Sequence, residues 1–167
     1  MSQSSTANDI TEAFLNVLRE LGATVLTMTE VAARFDEQPM HDFLLSLGRA
    51  GRKVFFVPTV GLLNVHVRAS SVGFWGVEKS VKNEFEKVAR FLEVPGHFVF
   101  LVGRNDQHVA NGYVASSLDA SPFVRPVRAQ ATSYKINERQ DLDTSKKRLG
   151  IRKVAEALLH KNWPAKP

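Results

Sequence analysis

The chain has 167 residues, of which 44% are hydrophobic and 23% charged, so it can bury one core and is not expected to be disordered. It contains no cysteine, which excludes a disulfide framework, cysteine-ligated zinc, iron–sulfur clusters and a thiol nucleophile. The net charge of +5 is uneven, because residues 121–167 carry eleven Lys and Arg against four Asp and Glu. We call this stretch the C-terminal basic segment, and its excess charge indicates a polyanionic partner.

Residues 1–7 are polar, and we predict that they form a disordered leader. They lack the basic and apolar regions of a secretory signal, and no apolar run approaches the roughly 20 residues that a membrane span needs. We therefore expect a cytoplasmic protein without a membrane partner, and the absence of cysteine fits a reducing compartment.

Three helices are predicted within the first fifty residues. Apolar residues repeat on one helical face across Asp9–Leu21, and Gly22 suits the end of that helix. A short helix over Thr29–Phe35 would be capped by Thr29. A third helix over Pro39–Leu47 begins with proline at the position where helices tolerate it best.

Two strands are predicted after these helices. Val54–Val57 is a short apolar run, and Leu62–Arg68 alternates apolar and polar residues, which point to opposite faces of a strand. The polar residues of the second strand are Asn64, His66 and Arg68. Their simplest interpretation is that they form the solvent-exposed face of a half-buried strand.

The next part of the chain alternates strands with a helix. Phe74–Val77 is a candidate strand, and Lys79–Glu93 is an amphipathic helix. The unbroken apolar run Phe98–Val102 predicts a central strand buried on both faces, and Gly112–Ala115 is its predicted neighbour.

The remaining residues predict an extended segment, a strand and a helix. Ser121–Arg128 contains two prolines and suits an edge or a loop, Tyr134–Asn137 is a short strand, and Thr144 or Ser145 would cap the last helix. The order of elements favours an α/β (mixed α+β) fold, with a central mixed sheet flanked by helices in a single domain over residues 8–162.

The stretch from Val65 to Trp75, followed by a helix and the buried strand Phe98–Val102, resembles the core of the PD-(D/E)xK nuclease-like superfamily. There, a strand bearing a carboxylate-x-Lys pair is followed by a turn, a helix and another core strand. The resemblance covers residues 54–137 and implies a restriction-endonuclease-like sheet. His66 stands at the carboxylate position and Arg68 at the lysine position, and Val54–Leu63 contains no acidic residue.

These departures from the nuclease pattern affect the expected chemistry. Two carboxylates normally hold the divalent metal that activates water, and arginine does not deprotonate near neutral pH. The resemblance therefore implies a non-cleaving relative, in which His66 and Arg68 contact phosphate. We predict no catalytic residue, no metal ligand and no cofactor, and only an active nuclease would require Mg²⁺.

An alternative is an N-terminal winged helix over residues 8–70 followed by a small α/β domain over residues 71–162. Pro39–Leu47 would then be the recognition helix and Val54–Arg68 the wing of a DNA-binding transcriptional regulator. That recognition helix offers few of the basic and amide side chains that usually contact bases.

The main functional prediction is a nucleic-acid-associated protein that binds the phosphate backbone of DNA or RNA through its C-terminal basic segment. A protein–protein adaptor with an acidic partner is a further alternative, and a homodimer is left open. Phe74, Trp75, Tyr113 and Tyr134 are candidates for stacking on bases, although aromatic residues in strands more often belong to a core. The candidate nucleic-acid contacts are His66, Arg68, Arg125, Arg128, Lys146, Lys147, Arg148, Arg152 and Lys153.

Overall fold

The computed structural model describes residues 3–49, 52–69, 73–103, 110–116, 133–137 and 149–160. Within them lie the helices α1 Gln3–Glu20, α2 Met28–Ala32, α3 Met40–Leu47, α4 Lys79–Leu92 and α5 Ile151–His160. The strands are β1 Leu26–Thr27, β2 Val54–Val57, β3 Gly61–Ala69, β4 Phe74–Glu78, β5 Gly96–Gly103, β6 Ala110–Ser116, β7 Ser133–Asn137 and β8 Leu149–Gly150.

The described strands form a six-stranded mixed sheet and a separate two-stranded ribbon. The order in the main sheet is β1-β2-β3-β5-β6-β8, and β1 and β8 contribute only two residues each. β3 and β5 run parallel, and the neighbouring pairs are antiparallel. Since α4 connects the two parallel strands and helices pack on both faces, the expected α/β fold with a central mixed sheet is confirmed.

The strand β5 lies between β3 and β6, as its apolar sequence predicts. Phe98 and Phe100 point to one face, Val99 and Leu101 point to the other, and all four are fully buried. Burial on both faces explains why no polar residue interrupts this run.

Helices α1 and α5 cover one face of the sheet together. Ile10, Phe14 and Leu18 of α1 share a core with Val154 and Leu158 of α5 and with the residues of β3 and β5 that point towards them. Glycine at position 103 allows this approach, because a Cβ there would overlap the side chain of Ile10. The first and last described helices are therefore neighbours in the fold.

The opposite face is covered by α2, α3, α4 and the two-stranded ribbon of β4 and β7. Phe85 and Val88 of α4 pack on this face beside Trp75, Val77 and Ile136 of the ribbon. The ribbon is tied to the main sheet by the Trp75 indole, whose Nε1 donates to the Leu101 carbonyl oxygen at 2.8 Å.

The observed starts of α1 and α2 differ from the predicted ones. α1 begins at Gln3, so residues 3–7 are helical rather than a disordered leader. No glycine or proline interrupts residues 3–8, and a helix once formed gains a hydrogen bond for each added residue. The cap of α2 is Thr27 rather than Thr29, because Thr27 forms a capping box in which its Oγ1 accepts from the Glu30 amide at 3.2 Å and its own amide donates to Glu30 Oε1 at 3.0 Å.

The winged-helix alternative does not fit the sheet. β3 pairs with β5 over eight consecutive residue pairs, from Leu62 opposite Gly96 to Ala69 opposite Gly103. The hairpin Val54–Arg68 is therefore part of the main sheet and not a separate wing. Because β3 precedes residue 70 and β5 follows it, the sheet continues across the alternative domain boundary.

A glycine fixes the turn between β2 and β3. Gly61 has φ +134, and a Cβ at this position would overlap the carbonyl oxygen of Pro95. The same oxygen accepts a hydrogen bond from the Leu62 amide at 2.9 Å, which holds the loop before β5 against the start of β3.

None of the helices in the described part of the chain has the length and apolar character that crossing a membrane requires.

Candidate nucleic-acid interface

The polar face of β3 is covered rather than exposed. Asn64, His66 and Arg68 point to the face on which α4 and the ribbon pack, and Asn64 is fully buried while Arg68 is 8% exposed. The interpretation of these residues as a solvent-exposed face is therefore wrong. The alternation of β3 arises instead from a strand that has apolar residues on one face and a buried polar row on the other.

His66 lies among aromatic rings. Its imidazole stacks with Phe98 at 6.0 Å and with Phe100 at 5.6 Å between ring centroids, and its Nε2 is buried without a hydrogen-bond partner among the described residues. Burial, followed by the positive charge of Lys53, lowers the pKa of His66 from 6.5 to about 4. The ring is consequently neutral at physiological pH and does not supply a positive charge to a phosphate there.

Arg68 packs against the ribbon. Its guanidinium carbon lies 4.6 Å from the centroid of the Trp75 ring, and its Nη1 donates to the carbonyl oxygen of Ala69 at 3.1 Å. The flat cation thus joins β3 to β4 by stacking on the indole. Its role as a phosphate contact stays a prediction, and its burial counts against direct contact.

Asn64 is the third residue of the buried polar row. It lies opposite Val54 on one side and Phe98 on the other, and neither its Oδ1 nor its Nδ2 has a hydrogen-bond partner among the described residues. An unsatisfied buried amide costs roughly 1–3 kcal/mol. Asn64 therefore does not help to stabilise the fold through the described contacts.

Of the predicted contacts in the C-terminal basic segment, the structure describes only Arg152 and Lys153. Both are exposed in the first turn of α5, at 58% and 74% for their side chains. Arg152 pairs with Glu20 at 3.7 Å and with Glu156 at 3.9 Å, and Lys153 pairs with Glu156 at 3.4 Å. Neighbouring acids thus partly neutralise the two cations, although each exposed pair contributes little to stability.

The other five contacts lie outside the described residues; they are Arg125, Arg128, Lys146, Lys147 and Arg148. Ser121–Arg128, predicted as an edge or a loop, also lies outside them. The last helix begins at Ile151 and not at Thr144 or Ser145, because Leu149–Gly150 pairs with β6 as β8.

The structure brings together a group that the sequence analysis did not identify, at the ribbon and the start of α4. Lys135 Nζ lies 4.9 Å from the ring centroid of Phe74, and Lys79 and Lys82 lie 5.5 Å and 5.9 Å from that of Tyr134. The sequence predicts stacking for the aromatic residues and places Lys135 in the C-terminal basic segment, but it does not predict that they are neighbours. In the sequence, the only sign of this group is that Lys135 stands next to Tyr134. The contact with Phe74 depends on the pairing of β4 with β7, which are far apart in the sequence.

No three His, Cys, Asp or Glu side chains come together as metal ligands in the part of the chain that the structure describes. Comparison of the sequence with protein-family models and with curated proteins finds no match in either set.

Proposed function

We propose that the chain binds nucleic acid, using the C-terminal basic segment to neutralise backbone phosphates on a nuclease-like scaffold that does not cleave. The observation that carries the proposal is the charge distribution. Residues 121–167 have a net charge of +7, whereas residues 1–120, with eleven Lys and Arg against thirteen Asp and Glu, have a net charge of −2. A polyanion is the partner that such a distribution attracts over the longest distance.

The topology around β3 supports the nuclease-like part of the proposal. β3 is followed by the ribbon strand β4 and then by α4, which leads to a parallel neighbouring strand, β5; apart from β4, this is the order of elements on which the resemblance rests. The expectation that the protein does not cleave nucleic acid rests on the side chains at the positions where the nuclease pattern has its catalytic residues. The positions of the carboxylate and the lysine carry His66 and Arg68, and β2 has no acidic residue that could hold a divalent metal.

Salt-dependent binding tests the proposed function. Fluorescence anisotropy with labelled single-stranded and duplex oligonucleotides should give a log Kd that changes linearly with log salt, by about 0.7 per phosphate for single strands and about 0.9 for duplexes. Reversing Lys146, Lys147 and Arg148 to Glu should weaken binding and reduce this slope. A matched control reverses three exposed arginines outside the segment to Glu, namely Arg34, Arg49 and Arg90.

The two triple variants change net charge equally, so a loss of binding confined to the first supports a localised phosphate contact. Equal losses would point to net charge alone and would contradict a binding segment. If the protein binds no oligonucleotide at low salt but retains an acidic protein after nuclease treatment, the adaptor alternative replaces the proposal. Incubation with DNA or RNA and Mg²⁺ or Mn²⁺ tests the non-cleaving part, and clean cleavage would overturn it.

A further inference from the structure

Cation–aromatic contacts concentrate at the ribbon. Of the five such contacts among the described residues, four involve a ring of β4 or β7, and the fifth joins Lys87 to Phe43 at 4.8 Å elsewhere. One of the four, between Arg68 and Trp75, lies beneath the ribbon and is buried. Two of the others join Lys79 and Lys82 to Tyr134, which also packs against the core, and the remaining one joins Lys135 to Phe74.

Among the residues that the structure describes, none covers the outer face of the ribbon at Gly76. Strand residues alternate between faces, and Trp75, Val77 and Ile136 are buried against the sheet. The intervening residues Phe74 and Gly76, with Lys135 directly opposite Gly76, therefore point away from the core. Gly76 is exposed, and none of the described atoms lies within 4 Å of the position that a Cβ would occupy there.

We propose that this outer face binds single-stranded nucleic acid, with a base stacking on Phe74 above Gly76 and Lys135 contacting the adjoining phosphate. The proposal rests on the proposed function and gives it a location. Aromatic rings paired with cations suit single strands, because every base has a face that can stack and every linkage carries a negative charge.

The chemistry favours this occupant over an acidic protein and over a duplex. An acidic peptide would require Lys135 but gain nothing specific from a ring beside it. In a duplex the faces of the bases are covered by their neighbours, so Phe74 could not stack on them. At the other end of the ribbon Tyr134 lies opposite Val77 and packs against the core, so the lysines beside it do not belong to the outer-face site.

The test is anisotropy with a labelled single-stranded DNA, the same sequence as RNA, its duplex and a labelled polyglutamate peptide. Phe74→Leu should weaken single-strand binding about tenfold by removing the stacking ring, and Phe74→Trp should restore it. Lys135→Gln should lower the salt slope by about 0.7, the value for one phosphate. Lys87→Gln is the matched control, because it removes a lysine with the same contact to a ring away from the ribbon.

The outcomes separate the inference from the proposed function. If the unaltered protein binds single strands and the two ribbon variants bind as tightly as it does, the ribbon is not the site, although nucleic-acid binding stands. If the protein binds no nucleic acid, both fail. Equal weakening of duplex and single-strand binding by Phe74→Leu would also overturn the ribbon site, because the covered bases of a duplex cannot stack on the ring. Urea unfolding of each variant, with rescue by Phe74→Trp, distinguishes lost contact from lost folding.

Discussion

Because of His66, acid should unfold this protein at a higher pH than protonation of its carboxylates alone would. In the unfolded chain this imidazole has an ordinary pKa of 6.5, whereas in the folded protein burial and the charge of Lys53 lower it to about 4. The unfolded state therefore binds a proton more readily as pH falls. Stability that is fully present above pH 6.5 is lost progressively until about pH 4.

The size of the effect follows from the two pKa values. At about 1.4 kcal/mol per pKa unit, the free energy of unfolding should fall by about 3 kcal/mol once the pH is below both values, and by about 2 kcal/mol between pH 7.5 and pH 5. Glu30 is also linked to pH, because hydrogen bonds to the Thr27 backbone and hydroxyl lower its pKa. Its contribution is lost below its ordinary value of 4.5, so the interval from pH 6.5 to pH 5 separates the effect of His66 from that of Glu30.

Urea unfolding followed by circular dichroism at several pH values measures this loss. We expect His66→Gln, which does not titrate, to remove about 2 kcal/mol of the difference between pH 7.5 and pH 5. His160→Gln, at the exposed last residue of α5, controls for the loss of a surface histidine. If the His66→Gln protein loses stability with acid as steeply as the unaltered protein, burial of the neutral ring is not the cause.

Three substitutions with internal controls test the described contacts by urea unfolding. Gly61→Ala should destabilise by about 2–3 kcal/mol because of its positive φ and the carbonyl oxygen beside it, whereas Gly76→Ala, in open space, should not; equal effects would contradict the geometry of the turn. Thr27→Ala should cost about 1 kcal/mol by removing the cap of α2, and a larger loss from Thr29→Ala would contradict that assignment. Asn64→Leu should stabilise by about 1 kcal/mol by removing an unsatisfied amide, so a loss of stability would reveal a partner for it.

Local patterns predict this fold where a residue's environment depends on its own element. The apolar run Phe98–Val102 identifies a strand that is buried on both faces, and the spacing of Val81, Phe85 and Val88 identifies the buried face of α4. The cap of α2, predicted at Thr29 and observed at Thr27, shows the limit of such patterns. Thr27 and Thr29 are both suitable caps by type, and only the reciprocal bonds with Glu30 distinguish them.

The candidate sites depend on contacts between distant parts of the sequence, which local patterns do not contain. Alternation in β3 shows that Asn64, His66 and Arg68 share a face, but the cover over that face comes from α4 and the ribbon. The pairing of Lys135 with Phe74 likewise depends on the register between β4 and β7. A sequence pattern therefore predicts which side chains point the same way more reliably than what they meet.

The shared position of α1 and α5 has a consequence for synthesis of the chain. On the ribosome, α1 and the strands β3 and β5 emerge before α5, so the hydrophobic surface that includes Val99 and Leu101 lacks the cover of α5 until that helix emerges. A nascent chain stalled before Ile151 should accordingly be a chaperone client and a substrate for proteases. Once α5 has emerged and packed beside α1, this surface is covered and the exposure ends.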